Sequence, residues 1–252
     1  MLMFRTRFKR EILAEFLPPA RRAKKQRVIV LCDSMPSIPR KQPLAEFLAG
    51  KGYWVFYPRY RGAWESGGRF LARSPHLDVL DVIDGMAGEI RELAFGKRFR
   101  VHASEIFVIG GSFGGAAALL CSIDDRVKKV VANCPVVDWR ILRHERHKET
   151  SNPSYAAYIR EAFGNAFRLS DKNWNKLNDG KFFNPTYYAD KIEPAKVMMF
   201  HAQDDPYVPY QSVEKFAKRT GVKLKLLARG GHLSTDMIVR KYWTSIGKFF
   251  EN

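Results

Sequence analysis

The sequence predicts an α/β fold: a mostly parallel central sheet flanked by helices, with a helical cap insertion. Continuous apolar runs at Val28-Ile29-Val30-Leu31, Tyr53-Trp54-Val55-Phe56-Tyr57, Ile106 to Ile109, Val127 to Val131 and Val197-Met198-Met199-Phe200 are of the type a strand buried on both faces requires. Helix patterns alternate with them, which means parallel pairing through right-handed crossovers with helices on both faces. A chain of 252 residues, 46% hydrophobic, is long enough for one substantial core, so residues 1–252 are expected to form a single domain.

Each element has its own signal. Met3 to Phe8 and Ile12 to Leu17 flank Lys9-Arg10-Glu11, and the second run stops at Pro18-Pro19, which lack ladder donors, so an N-terminal β-hairpin is expected. Its rival is a basic amphipathic helix, since Phe8, Ile12 and Phe16 recur every fourth residue, and that helix would suggest membrane contact. Arg21 to Gln26 is a polar connection. Pro43 to Ala49 supplies a helix. Ser74 as N-cap with Pro75 at the first helical position opens another, running to about Leu93. Phe113 to Ser122, Pro209 to Arg219 and Ser234 to Phe250 complete the helices. The alternation breaks over residues 138–191, a stretch rich in Tyr, Phe, Trp, Asn and Arg. Tyr155 to Phe163 is helix-compatible there, and Asn152-Pro153, Asn178-Asp179-Gly180 and Asn184-Pro185 are breaks. This segment reads as a helical cap over the strand ends, walling a site with aromatic side chains and excluding water.

Charge and cysteine content narrow the function classes. The net charge is +17, from 43 Lys and Arg against 26 Asp and Glu, which makes a surface field attractive to anions. The basic residues are scattered over Arg21 to Lys25, Lys97 to Arg100, Arg140 to Lys148 and Lys215 to Arg219, with no zinc-finger spacing, RNA-recognition signature or helix-turn-helix. A solvated, soluble surface is the plainest reading; anionic substrates, acidic membranes and nonspecific nucleic-acid contact are the others. No apolar stretch reaches the roughly 20 residues of a membrane span, and Met1 to Arg10 carries no signal-peptide core, so a cytoplasmic protein is expected. Cys32, Cys121 and Cys134 lie in or beside apolar segments and read as reduced core thiols.

The chemistry is concentrated at Gly110-Gly111-Ser112-Phe113-Gly114-Gly115, between an apolar strand and a helix-forming run. A serine on so sharp a strand-to-helix turn is lifted clear of the sheet, and glycines at 110 and 114 avoid collision with the neighbouring elements. The turn also aims the Phe113 amide at the place where an oxyanion would form. A serine hydroxyl needs a histidine base, and that histidine needs a carboxylate. Asp205 follows the strand ending at Phe200-His201, and His232 follows the strand Val222 to Leu227, giving Ser, Asp, His in order at three strand ends. Asp204 is the immediate rival to Asp205; His201 reads as a loop-bracing residue. The turn Asp33 to Ser37 would supply the second oxyanion donor, the amide of Met35, although turn chemistry alone would choose the same residues. His144 and His147 could face one way on a helix, but no further metal-ligand pattern accompanies them. No metal or organic cofactor is expected.

Together these residues resemble the α/β-hydrolase superfamily, in particular the catalytic module of the prolyl oligopeptidase and acylaminoacyl-peptidase group. The resemblance runs from about Ile12 to the C-terminus. It rests on the glycine-flanked Ser112, on Cys134-Pro135-Val136-Val137-Asp138-Trp139, on His201-Ala202-Gln203-Asp204-Asp205-Pro206-Tyr207-Val208-Pro209 and on Gly231-His232. It implies that the triad carboxylate is Asp205. Related esterases also carry a loop like Tyr60 to Gly68. Asp33-Ser34 stands where relatives have His-Gly, and Ala202 where they have glycine. The peptidases' large N-terminal propeller has no room here, so serine hydrolase chemistry is implied more firmly than peptide substrates.

The expectation is a serine hydrolase acting on a carboxylic ester or similar acyl compound, with Ser112, His232 and Asp205 as triad and Met35 and Phe113 as oxyanion donors. The substrate is a small acyl ester or short peptide, and Arg140, Arg143 and Arg146 hint at a negatively charged group on it. Aminopeptidase-like or thioesterase action uses the same machinery. A noncatalytic protein binding anionic partners through its basic surface is the alternative of another class.

Overall fold

A computed structural model describes residues 3–21, 25–141 and 153–252. Its strands are β1 (Phe4–Phe8), β2 (Ile12–Leu17), β3 (Gln26–Cys32), β4 (Tyr53–Pro58), β5 (Glu89–Arg91), β6 (Arg98–Arg100), β7 (Ala103–Gly111), β8 (Val127–Asn133), β9 (Val197–Ala202) and β10 (Lys223–Leu227). Eight of them make one sheet in the order β1-β2-β4-β3-β7-β8-β9-β10, and β5 and β6 pair separately. β1 and β2 run antiparallel to their neighbours; every other pairing in the large sheet is parallel.

The apolar runs are continuous because each strand serves two cores. On β3, Val28, Val30 and Cys32 join Phe16, Phe56 and Val108 on one face, while Ile29 and Leu31 join Val55, Phe107 and Ile109 on the other. Successive side chains leave opposite faces, so neither set can be polar. The helices are α1 (Gln42–Gly50), α2 (His76–Met86), α3 (Phe113–Cys121), α4 (Pro153–Phe163), α5 (Asp171–Asn175), α6 (Tyr210–Thr220), α7 (Thr235–Lys241) and α8 (Trp243–Glu251). Apolar residues of α2, α3 and α6 fill the first core; those of α1, α7 and α8 fill the second, where Phe250 stacks on Phe107 at 4.3 Å.

The N-terminal hairpin forms as expected, and two helix expectations are corrected. Phe8, Ile12 and Phe16 lie on a hairpin, with Phe8 opposite Ile12 and Phe16 stacked on Phe56 at 5.5 Å, so the membrane-contacting helix does not form. The helix expected from Ser74 to Leu93 begins at His76 and ends at Met86. Ser74 does not cap it, because its hydroxyl is 2.7 Å from His76 Nδ1, and beyond it Ile90 and Phe99 alternate with charged neighbours in the β5–β6 ladder. The helix expected over Ser234 to Phe250 breaks at Tyr242, whose ring stacks on Phe200 at 5.2 Å.

Between β8 and β9 the chain leaves the sheet. α4, α5 and short 3₁₀ turns at Gly164–Ala166, Lys176–Asn178 and Pro185–Lys191 lie here. They are laced to the loop after β4: Trp64 N–H donates to Ala166 O (2.6 Å), Arg168 N–H to Gly62 O (2.8 Å) and Phe70 N–H to Arg168 O (3.0 Å). No helix among the described residues is long and apolar enough to cross a membrane.

Candidate active site

β7 ends at Gly111 and α3 begins at Phe113, so Ser112 alone makes the turn, at φ 55° and ψ −119°. A non-glycine residue there costs on the order of 1–3 kcal/mol, and the surroundings must hold it. Ser112 N–H donates to Asn133 O at 2.9 Å, while Ser112 O accepts from Gly115 N–H (3.0 Å) and Val136 N–H (3.2 Å). Packing excludes alternatives: a Cβ on Gly110 would stand 2.0 Å from Gly114 O, and one on Gly114 would stand 2.5 Å from Asp33 O. The Phe113 ring anchors the helix start, 4.8 Å from Phe183 and 5.6 Å from Phe70.

Asp205 and His232 come together from the loops after β9 and β10. His232 Nδ1–H donates to Asp205 Oδ2 at 2.8 Å, and Asp205 Oδ1 accepts from the amides of Tyr207 (2.9 Å) and Val208 (3.0 Å). Burial opposes ionisation of Asp205, but the hydrogen bond and charge of His232 and the two amides outweigh it and hold the carboxyl below its usual value. Asp204 faces elsewhere and accepts from Gly231 N–H at 2.8 Å, so it shapes the histidine loop without touching the imidazole. His201 is fully buried and braces the Asp205 loop, its Nε2–H donating to Val208 O at 2.9 Å. Sequence reasoning missed Asn133. Its carbonyl holds Ser112, and its amide nitrogen donates to Leu233 O at 2.6 Å, tying the serine turn to the histidine loop.

Ser112 lines a small cavity of about 30 Å³ with Met35, Phe113, Val136, Trp139, Tyr155, Tyr207 and Val208. That is room for one or two waters. The ring of Tyr207, one of its walls, meets the His232 imidazole edge to face at 5.3 Å. Nδ1 is engaged by Asp205, so a proton could be accepted only at Nε2. Among the described residues no hydrogen bond joins it to the Ser112 hydroxyl, and catalytic hydrogen bonds in a ligand-free site commonly tighten only with substrate. Met35 and Phe113 both line the cavity. Phe113 N–H is the first of α3 and has no preceding helical carbonyl to bond. The Met35 turn is stitched to β7 and to the loop after β4 by Ser34 Oγ–H donating to Gly111 O (3.1 Å) and Tyr60 O–H donating to Asp33 O (3.1 Å). A wider cleft of about 1090 Å³ lies at the far end of the sheet where β7 and β8 begin, and none of the residues above lines it.

Arg140 is bound to Asp138 through Nε (3.1 Å) and Nη2 (2.8 Å), so its charge is already answered; Arg143, Arg146, His144 and His147 lie outside the described residues. Ligand atoms of Cys134, His201 and Asp205 lie within 4.8 Å of one another, all buried. A metal there would have to take Asp205 from His232 and ionise a thiol that burial, reinforced by Asp205, holds far above its usual value.

The model of the prolyl oligopeptidase family matches residues 42–234. An esterase from Pyrococcus furiosus superimposes over 99% of this chain and 89% of its own, at TM-score 0.63 and 16% identity. The acylaminoacyl peptidase of Pyrococcus horikoshii does so over 100% of this chain and 41% of its own, at TM-score 0.65 and 18% identity, so this chain spans about two fifths of that enzyme. Est1E from Butyrivibrio proteoclasticus matches over 99% of both chains, at TM-score 0.64 and 14% identity. No curated protein matches the sequence.

Proposed function

Because this chain belongs to the prolyl oligopeptidase family and is a serine hydrolase, we propose that it cleaves small carboxylic esters through Ser112, His232 and Asp205. The observation that carries this is the His232 Nδ1 to Asp205 Oδ2 hydrogen bond of 2.8 Å, made beside Tyr207, a wall of the cavity that Ser112 lines. Ser112 Oγ attacks the acyl carbon while His232 Nε2 takes its proton. The amides of Met35 and Phe113 bind the oxyanion, and Asp205 stabilises the imidazolium. The imidazolium then protonates the departing alkoxide, leaving an acyl-enzyme on Ser112. Water, deprotonated by the same nitrogen, releases the acid and restores the serine.

Apolar walls and a volume near 30 Å³ support a compact, uncharged acyl group, as does the pairing of Arg140 with Asp138. Residues 138–191 act as the cap: Trp139 and Tyr155 of this segment line the cavity. Peptide hydrolysis is the second reading, favoured by the likeness to acylaminoacyl peptidases. A series of nitrophenyl esters of increasing acyl length, run beside aminoacyl and dipeptidyl nitroanilides, separates the two. Turnover should be greatest on the shortest esters and vanish in Ser112→Ala. Faster turnover of the nitroanilides would transfer the assignment to a peptidase, and equal activity in Ser112→Ala would remove the reading.

A further inference from the structure

The hairpin of β5 and β6 lies at the edge of the molecule and takes no part in the site above. Its ladder pairs Glu89 with Arg100, Ile90 with Phe99 and Arg91 with Arg98, and Glu92 N–H donates to Lys97 O at 2.8 Å, which closes a four-residue tip, Leu93-Ala94-Phe95-Gly96. Phe95 is 87% exposed and Leu93 53% exposed. Water penalises such exposure, and a mobile tip could fold the ring away; this tip is pinned instead. The Glu92 carboxylate, itself buried, accepts from Ala94 N–H and Phe95 N–H, both at 2.7 Å. Leu93 N–H donates to Arg5 O (2.9 Å) and Thr6 Oγ1–H to Arg91 O (2.9 Å), fixing the hairpin along the edge strand β1. Behind the apolar tip, successive rungs carry Lys97, then Arg91 and Arg98, then Arg100; Arg98 and Arg100 share the single carboxylate of Glu89, at 3.2 and 3.8 Å, and stay largely exposed, so four cations against two carboxylates leave a positive excess.

We propose that this hairpin is a docking finger for an anionic lipid surface, with Phe95 and Leu93 entering the headgroup boundary and the cations behind them meeting lipid phosphates and carboxylates. Two apolar side chains backed by rungs of cations suit a lipid interface, where shallow insertion and surface charge add. They present far too little area to hold a folded partner protein, which needs upwards of about 1,000 Å² of buried surface. On a nucleic acid the cations would lead and the apolar tip would not. The finger accounts for part of the net charge of +17, which the catalytic reading leaves unused.

Flotation of the full chain with phosphatidylcholine vesicles, with and without about one third phosphatidylserine, tests this. The protein should float with the anionic vesicles and not the neutral ones, and binding should weaken with added salt. Phe95→Asp and Phe95→Ala, at a position too exposed to disturb the fold, should weaken binding by about tenfold or more, the value of withdrawing one aromatic ring from the interface. Ser112→Ala should float as the parent does, which separates this inference from the catalytic one. Failure of the parent to float, or equal flotation of Phe95→Asp, would overturn it. So would displacement from the vesicles by an RNA homopolymer whose own binding ignores Phe95→Asp.

Discussion

The turn that carries Ser112 and the loop that carries His232 meet at one site but are held by different forces. Around Ser112 the constraint is steric. A Cβ on Gly110 would stand 2.0 Å from a backbone carbonyl oxygen, and one on Gly111 would stand 2.1 Å from Thr235 Oγ1. Around His232 the constraint is polar. Gly231, at φ +58°, has open space where a Cβ would go, and the loop is held by Asp204 on Gly231 N–H, Asn133 on Leu233 O and Asp205 on the imidazole. Packing fixes where the Ser112 oxygen sits, whereas hydrogen bonds fix which way the His232 imidazole points. The first arrangement cannot tolerate added atoms; the second can lose its function while keeping its shape.

The largest effect should therefore come from a change that leaves the shape alone. Asp205→Asn keeps the side-chain volume but cannot hold His232 in the productive tautomer, and kcat on a short ester should fall about 10⁴-fold. A fall of less than about tenfold would mean that the carboxylate does not orient the base. Next, Gly110→Ala should cost at least about 3 kcal/mol of unfolding free energy in urea, since backbone blocks the new methyl. A change within about 0.5 kcal/mol would show that the serine turn is not sterically locked.

Acid should act on His76, outside both regions, before it acts on Asp205. His76, at the start of α2, is held down to about 4 by burial and by the nearby Arg73 charge, and Cys121 Sγ at the end of α3 lies 3.7 Å from its carbonyl. The unfolded chain binds this proton near pH 6.5, so stability falls as pH drops from about 6.5 to 4, by on the order of 2 kcal/mol for a partly exposed ring. Asp205 is also depressed in the folded state, so its contribution is intact above about 3.9 and is lost only as pH falls through its lower folded value. Thermal melts from pH 7 to 5 should decline in the parent and less steeply in His76→Gln, where buried His201, also held below its ordinary value, still contributes; parallel curves would assign the decline elsewhere. The smallest effect belongs to Gly231→Ala, where only backbone strain of about 1 kcal/mol is added. A loss approaching that of Gly110→Ala would erase the contrast between the two regions.

The strands were legible because a parallel sheet covered on both faces demands uninterrupted apolar runs, and the Ser112 turn because glycine is the only residue its packing admits. Element ends were not. α2 stops at Met86, between Gly85 and Gly88, a break the expected helix ran through, while α7 stops at Tyr242, whose ring stacks on Phe200, a contact that propensity does not show. β5 and β6, at three residues each, are too short to show a period. Within the site, chain order and strand ends pointed to Asp205 and His232, but Asp204 and Asp205 are one chemical type one position apart. Only the loop's path sends one to Gly231 and the other to the imidazole. Asn133 gave no signal, because a polar residue closing a strand is ordinary until both of its partners are known.

The most direct test of the account is covalent labelling by a fluorophosphonate, read by peptide mass spectrometry at low pH. The parent should be modified on the peptide containing Ser112, and His232→Ala and Asp205→Asn should react at least about 10²-fold more slowly while remaining folded. Modification at another residue, or undiminished labelling of Ser112 without the His232 imidazole, would contradict it.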